Sequence, residues 1–440
     1  MTYLSTNISR LQQLIKQALF LGHDPSAELI AILMVYLVQG ILGLARLAVS
    51  FFLKDEMALS PTQVSAMLGI AALPWVVKPL FGFISDGLPI AGYKRRPYLI
   101  LSGVLGMAAW VAMAVLVQTP TQALIAMALS SLAVAVSDVI VDSLVVERVR
   151  TESISASGTL QSLCWGSTAV GGILTAYFSG SLLEQYSSRG VFAITAIFPM
   201  IVAFSAIFID ESPVMESSSW QQIRNQLNQL WGAVRLRSIW LPTSFVFIWQ
   251  ATPNAESAFF FFTTNELGFQ PEFLGRLRLV TSLASLIGVW AFQRWFKVVP
   301  FRVIFIWTTI VSAGLGMSML LLVTHLNRSM GISDEWFSIG DNLVLTVMGQ
   351  IAYMPVLVLA ARLCPPGVEA SLFALLMSIC NLASLLSYEW GALITHWLGI
   401  TESNFNNLWI LVLITNLSTL LPLPVIHWLP IGEPHPMDDR

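Results

Sequence analysis

Runs of about twenty apolar residues recur from residue 28 to residue 428, and nothing else constrains this chain as strongly. An α-helix rises about 1.5 Å per residue, so about 20 apolar residues cross a hydrocarbon core about 30 Å thick. In that core every backbone N–H and C=O must be satisfied within the segment, and a continuous apolar run does this as a helix. Twelve spans are expected: 28–52, 62–84, 97–117, 121–146, 153–183 and 189–209, then 239–264, 272–296, 301–323, 339–363, 367–397 and 405–428. The expected fold class is therefore an all-α polytopic membrane protein whose solvent is the lipid bilayer. Composition agrees, since only 11% of the 440 residues are charged against roughly 25% in soluble domains. A net charge of −3 with no basic domain leaves nucleic acid out as a partner.

Charge sets the expected orientation. With the N-terminus inside, fifteen of the 22 Lys and Arg residues fall on cytoplasmic segments and only Lys54, Arg189 and Arg328 fall outside. Basic loops resist translocation, so both termini are expected in the cytoplasm. Residues 1–27 lack the pattern of a cleavable signal, and Leu11, Leu14, Ile15, Ala18 and Leu19, with Arg10 and Lys16, suggest a surface amphipathic helix instead. Residues 210–238 read as a polar linker and 429–440 as a tail, leaving six-helix units at 28–209 and 239–428. These units look related. A shift of 210 residues sets Phe51-Phe52 on Phe261-Phe262, Glu56 on Glu266, Pro61 on Pro271 and Arg46 on Glu256, while a shift of 214 sets Arg148 on Arg362. Duplicated halves place a substrate site near the midplane between them, and a single chain then suffices, so a monomer is expected. Cys164, Cys364 and Cys380 lie in or beside apolar runs without ligand spacing, and the five histidines are scattered, so no metal or other cofactor is expected. There is no phosphate-binding glycine loop for ATP, no enzyme signature and no selectivity-filter repeat.

One loop carries a resemblance. Between the second and third runs, Gly82 to Tyr98 reads G-F-I-S-D-G-L-P-I-A-G-Y-K-R-R-P-Y. Gly82, Asp86, Gly92 and Lys94 to Arg96 resemble the helix 2–3 loop pattern of the major facilitator superfamily, with Asp86 and Gly92 six positions apart rather than three. The longer spacing, the preceding Lys78-Pro79 step and S-D-V-I-V-D-S-L-V-V-E-R at 137–148 resemble the folate–biopterin transporters within that superfamily. The resemblance is strongest over 74–103 and 137–158 and weak in the second half. It implies a secondary transporter of folates or pterins, and it implies that Asp86, Arg95, Arg96 and the span-4 arginine Arg148 form a cytoplasmic gate. Arg294, Lys297 and Arg302 form the counterpart loop, without an acid equivalent to Asp86.

Charges within spans are costly, about 2.5–3.5 kcal/mol each at the centre, so each needs a partner or a water-filled cavity. Asp138 and Asp142 are four apart on one helical face. They are expected either to carry a coupled proton or to pair structurally with Arg46 or Lys78. Lys78, between Pro74 and Pro79, is a candidate anion contact, a switchable partner of those acids, or a cation snorkelling to the interface. Arg46 can fork onto a carboxylate, which suits a folate glutamate tail, or serve in structural pairing. In span 7, Pro253 can break the helix beside Trp249, Gln250, Asn254 and Glu256. An indole face, amides and an acid complement a pterin ring, with Glu256 at its edge, although a Glu256–Arg46 bridge would equally satisfy both charges. Gln350 and Tyr353 in span 10 and Asn381 in span 11 complete the candidate set, although mid-span amides also serve as interhelical glue. Arg276 and Arg278 open span 8, where they would attract anions or meet lipid headgroups. The expected partners are thus a folate or pterin, protons and the bilayer. The competing functions are export of amphipathic drugs on the same fold and a non-transporting sensor or scaffold.

Overall fold

The computed structural model describes residues 23, 25–151, 154–213, 232, 235–296, 299–362 and 369–430. The amphipathic helix expected within 1–27, most of the 210–238 linker, Lys297, Cys364 and the tail from residue 431 lie outside the described residues. The first half contains α1 (Ala27–Glu56), α2 (Pro61–Gly87), α3 (Arg96–Val115), α4 (Pro120–Thr151), α5 (Ile154–Gln185) and α6 (Ser188–Phe208). The second contains α7 in two pieces (Arg237–Gln250 and 256–266), α8 (Pro271–Phe296), α9 (Phe301–Val323), α10 (Asp334–Arg362), α11 (Glu369–Trp397) and α12 (Leu408–Trp428). Nine helical stretches among the described residues are long and apolar enough to cross a membrane. Helix α7 falls short because Ala251–Ala255 interrupts it around Pro253, whose missing N–H favours a break there. No strand occurs among the described residues; an isolated bridge joins Ile90 and Tyr93.

Local sequence sets the helix starts. The Ser26 hydroxyl accepts from the Leu29 N–H at 3.1 Å, and Ser60 with Gln63 forms a reciprocal capping box ahead of Pro61. Helices α1 and α7 each end in a π-helical turn, Phe52–Glu56 and Phe262–Glu266, at the 210-residue offset of the sequence repeat. The repeat is therefore written in the backbone as well as in side chains.

Each half has its own apolar core. Phe52, Trp110, Met113 and Phe192 centre one cluster of the first half, and Phe245, Phe305, Leu359 and Leu372 one of the second. Small residues bring helices together. A Cβ at Gly40 would stand 2.8 Å from the Gly172 nitrogen, so α1 and α5 touch backbone to backbone. The halves meet where α2 faces α11 and α5 faces α8; there a Cβ on Gly275 would lie 2.8 Å from the Gly180 Cα. They also close on each other at the ends of α1 and α7. Phe51 stacks edge-on to Phe260 at 5.1 Å and Lys54 donates to the Asn265 Oδ1 at 2.8 Å.

Candidate functional site

Three groups of ionisable side chains stand out: one within the first half, one on helices of both halves, and one at the α2–α3 loop. The first is built on α1, α2 and α4. Helix α2 breaks at Ala72 and Val77, around Pro74, and Pro79 follows. Lys78 then turns inward, its ammonium against the Asp138 carboxylate, 3.0 Å from the Asp142 Oδ2 and 5.8 Å from the Trp75 ring centre. Lys78 and Asp138 side chains are 14% and 13% exposed against 44% for Asp142, so the inner acid is enclosed and the outer one is accessible. Tyr36 donates to the Asp142 Oδ1 at 2.6 Å, and the Gln39 amide adjoins Asp138. Two carboxylates thus share one ammonium. The fully ionised group carries one negative charge in excess, which a single proton neutralises. Of the two cations weighed for these acids, the structure gives them Lys78.

The second group surrounds the α7 break. The Asn254 N–H donates to the Ser387 C=O at 3.0 Å, and its side-chain oxygen accepts the Glu256 N–H at 2.6 Å. Gly391 lies against the Asn254 carbonyl so closely that no Cβ fits there. The broken backbone is therefore fixed by α11. The exposed Glu256 carboxylate accepts from the Tyr388 hydroxyl at 3.0 Å. Arg46 of α1 and Arg278 of α8 complete this group, since Arg278 lies within electrostatic range of both Arg46 and Glu256. No Glu256–Arg46 bridge forms; the acid takes Tyr388 instead. Along α1, seven residues separate Gln39 from Arg46, about 10 Å of helix rise. The carboxylate–lysine group and the guanidinium group therefore form two tiers.

The third group lies at the α2–α3 loop. Arg95, 8% exposed, bonds the Asp86 carboxylate at 2.7 Å, the Glu147 carboxylate at 2.8 Å and the Ser85 hydroxyl at 3.2 Å. Burial alone would weaken the guanidinium's hold on its proton, but Asp86 and Glu147 reverse this and raise it above the usual arginine range. Glu211 accepts the backbone N–H groups of Lys94, Arg95 and Arg96, neutralising the positive end of α3. Arg148 reaches Ser26 at 2.9 Å and Glu28 at 3.7 Å on α1. Arg95 thus holds both Asp86 and Glu147, the latter next to Arg148 along α4. Arg96 donates to the Ile209 C=O at the end of α6, and Arg302 donates likewise to the Leu429 C=O after α12, each through Nε at 2.7 Å. The second half keeps this clamp although it lacks the acid.

With this geometry in place, a model of the BT1 family matches residues 39–439. The chain belongs to the BT1 family, the folate–biopterin transporters. It is 59% identical over 428 residues to a Synechocystis protein named folate-biopterin transporter, covering 97% of this chain and 87% of that one. It is 34% identical over 404 residues to folate transporter 2 of Plasmodium falciparum, covering 92% and 88% of the two chains. Its fold is that of the major facilitator superfamily. The crystal structure of a D-xylose–proton symporter superposes with a TM-score of 0.67 at 14% identity, over 92% of this chain and 98% of that one.

Within this BT1 chain the structure brings some expected residues together and sets others apart. Trp249 packs edge-on to Phe305 at 5.6 Å and Tyr353 borders the same apolar cluster, so both serve the core of the second half. Gln350 lies against Gly288 where α8 meets α10. Asn381 donates to the Trp75 C=O at 3.1 Å, the carbonyl that Pro79, lacking an N–H, leaves without its helical partner. Gln250 bonds Ser384 at 2.8 Å through its nitrogen, while its oxygen is buried without a partner; Glu389 Oε1 is buried unpartnered too. Arg276 and Arg278, both expected to attract anions or meet lipid headgroups, differ sharply. Arg276 is exposed and pairs with Glu272, whereas Arg278 turns inward. Positions two apart on a helix point about 200° apart, and that phase was the available signal.

Proposed function

We propose that this protein moves folates and related pterins across a membrane by alternating access, with a proton as the coupled ion. The observation that carries the substrate is the 59% identity, over nearly the whole chain, to a protein named folate-biopterin transporter. Ionisable groups from both halves of a major facilitator fold support the mechanism. In this reading the chain spans the membrane twelve times as a monomer, with both termini cytoplasmic. Asp138, enclosed by Lys78, takes the proton, and Asp142, accessible and held by Tyr36, exchanges it with water. Protonation releases Lys78 from half of its ion pairing, which lowers the cost of moving the charged group between states. Arg46 meets the anionic tail and Glu256 the hydrogen-bonding edge of the pterin. The buried, unpartnered Gln250 oxygen supplies a further acceptor for that ring, since such atoms need a partner from somewhere. The network of Asp86, Arg95, Glu147 and Arg148 holds the cytoplasmic gate. Purified protein in liposomes, offered labelled folate with unlabelled folates, pterins and amphipathic drugs as competitors, tests this directly. Folates and pterins should compete and drugs should not; competition by drugs alone would reassign the protein as a drug exporter.

A further inference from the structure

Arg278 is half-buried where α8 faces the other half, and its side chain keeps partial solvent access. Among the described residues its guanidinium makes no hydrogen bond and no ion pair, and neither does that of Arg46. It shares a helical face with Gly275, one turn earlier, where α8 meets α5 of the other half. Arg46 is exposed between the buried Ala45 and Leu47, and Leu47 packs with Leu274, one turn before Arg278. The two arginines thus stand on opposite halves, beside the apolar cluster where those halves close. Glu256 lies within electrostatic range of Arg278, and one oxygen of its carboxylate accepts from Tyr388.

Two guanidinium groups within electrostatic range repel each other, and without an anion their donor forks stay empty. Each fork takes one carboxylate in bidentate geometry. We propose that Arg46 and Arg278 form a two-point clamp for a substrate bearing two carboxylates, one arginine from each half. The inference rests on the folate reading and deepens it: the clamp reads the α- and γ-carboxylates of a glutamate tail. Because the arginines belong to different halves, a dicarboxylate bridges them and holds the halves together, whereas a ligand with one carboxylate engages one half. Arg278 is thereby a specificity residue.

The test is competition against labelled folate by four compounds: folate, pteroylglutamine, pteroylisoglutamine and unconjugated pterin. The two amides are nearly isosteric with folate and each lacks one carboxylate. In the unchanged protein folate should outcompete both amides by about tenfold or more, the loss expected for one charge-assisted contact. Arg278→Gln should lower folate affinity to that of one amide while shifting that amide by less than about twofold, and Arg278→Lys should restore part of the preference. Equal loss across all four compounds in Arg278→Gln would make the role structural and overturn the clamp. Amides that match folate in the unchanged protein overturn it without any variant, while leaving the folate reading intact. If none of the four binds, the folate reading itself falls and the clamp falls with it.

Discussion

At the scale of the residue, the enclosed Lys78–Asp138 pair sets the energetics. Removing one member of a buried ion pair strands the other and costs about 3–5 kcal/mol, whereas replacing both is far milder. Lys78→Met should therefore lower the melting temperature in detergent by several degrees, and Lys78→Met combined with Asp138→Asn should recover most of that loss. A double variant no more stable than Lys78→Met would show that the two side chains are energetically independent. Arg46→Ala should weaken folate by about tenfold and unconjugated pterin little, because only folate carries the tail. Equal weakening of both, measured by competition, would assign Arg46 to structural support. Asp138, Asp142 and Lys78 were legible in the sequence because charge in an apolar run is itself the signal. Arg276 and Arg278 look alike in the sequence because both sit near a helix end, where only helical phase separates an outward from an inward position.

At the scale of the element, the broken helices do the positioning. Pro79 frees the Trp75 carbonyl that Asn381 caps, and the α7 break at Ala251–Ala255 is braced by Ser387 and Gly391. A side chain at Gly391 has no room beside the Asn254 carbonyl, so Gly391→Val should displace Asn254 and Glu256 together. Transport should fall by about tenfold or more, as overpacking costs about 1–3 kcal/mol; wild-type uptake in that variant would show that the break is free to move. Prolines announce such breaks in a sequence, but the side chain that caps the orphaned carbonyl comes from a distant helix. That is why Asn381, Trp249 and Tyr353 read as ligand contacts from sequence, while the structure gives them capping and packing partners. The proposed gate belongs to this scale as well. Asp86→Asn removes one of two acids on Arg95, so exchange rates should change while equilibrium folate affinity stays within about twofold. A tenfold loss of affinity, read by titration in detergent, would place Asp86 within the binding site.

For the whole molecule, the fold and its duplication follow from apolar runs and the 210-residue offset, which reappears in the paired π-turns Phe52–Glu56 and Phe262–Glu266. The closure of the halves through Phe51, Phe260, Lys54 and Asn265 was not legible, because it depends on how two separately folded units dock. The central claim is that one tier of charges carries a proton and the other an anion, so that the proton gradient drives folate uphill. Folate with two ionised carboxylates and one proton crosses as a net anion, so the pH difference drives it, about 1.4 kcal/mol or roughly tenfold per pH unit. The decisive measurement is labelled-folate accumulation in liposomes under an imposed inward proton gradient, with and without an uncoupler, for the unchanged protein and for Asp138→Asn. The unchanged protein should accumulate folate and lose that accumulation with the uncoupler, while Asp138→Asn should exchange folate across the membrane without ever concentrating it. Accumulation that ignores the uncoupler, or that persists in Asp138→Asn, would contradict the account.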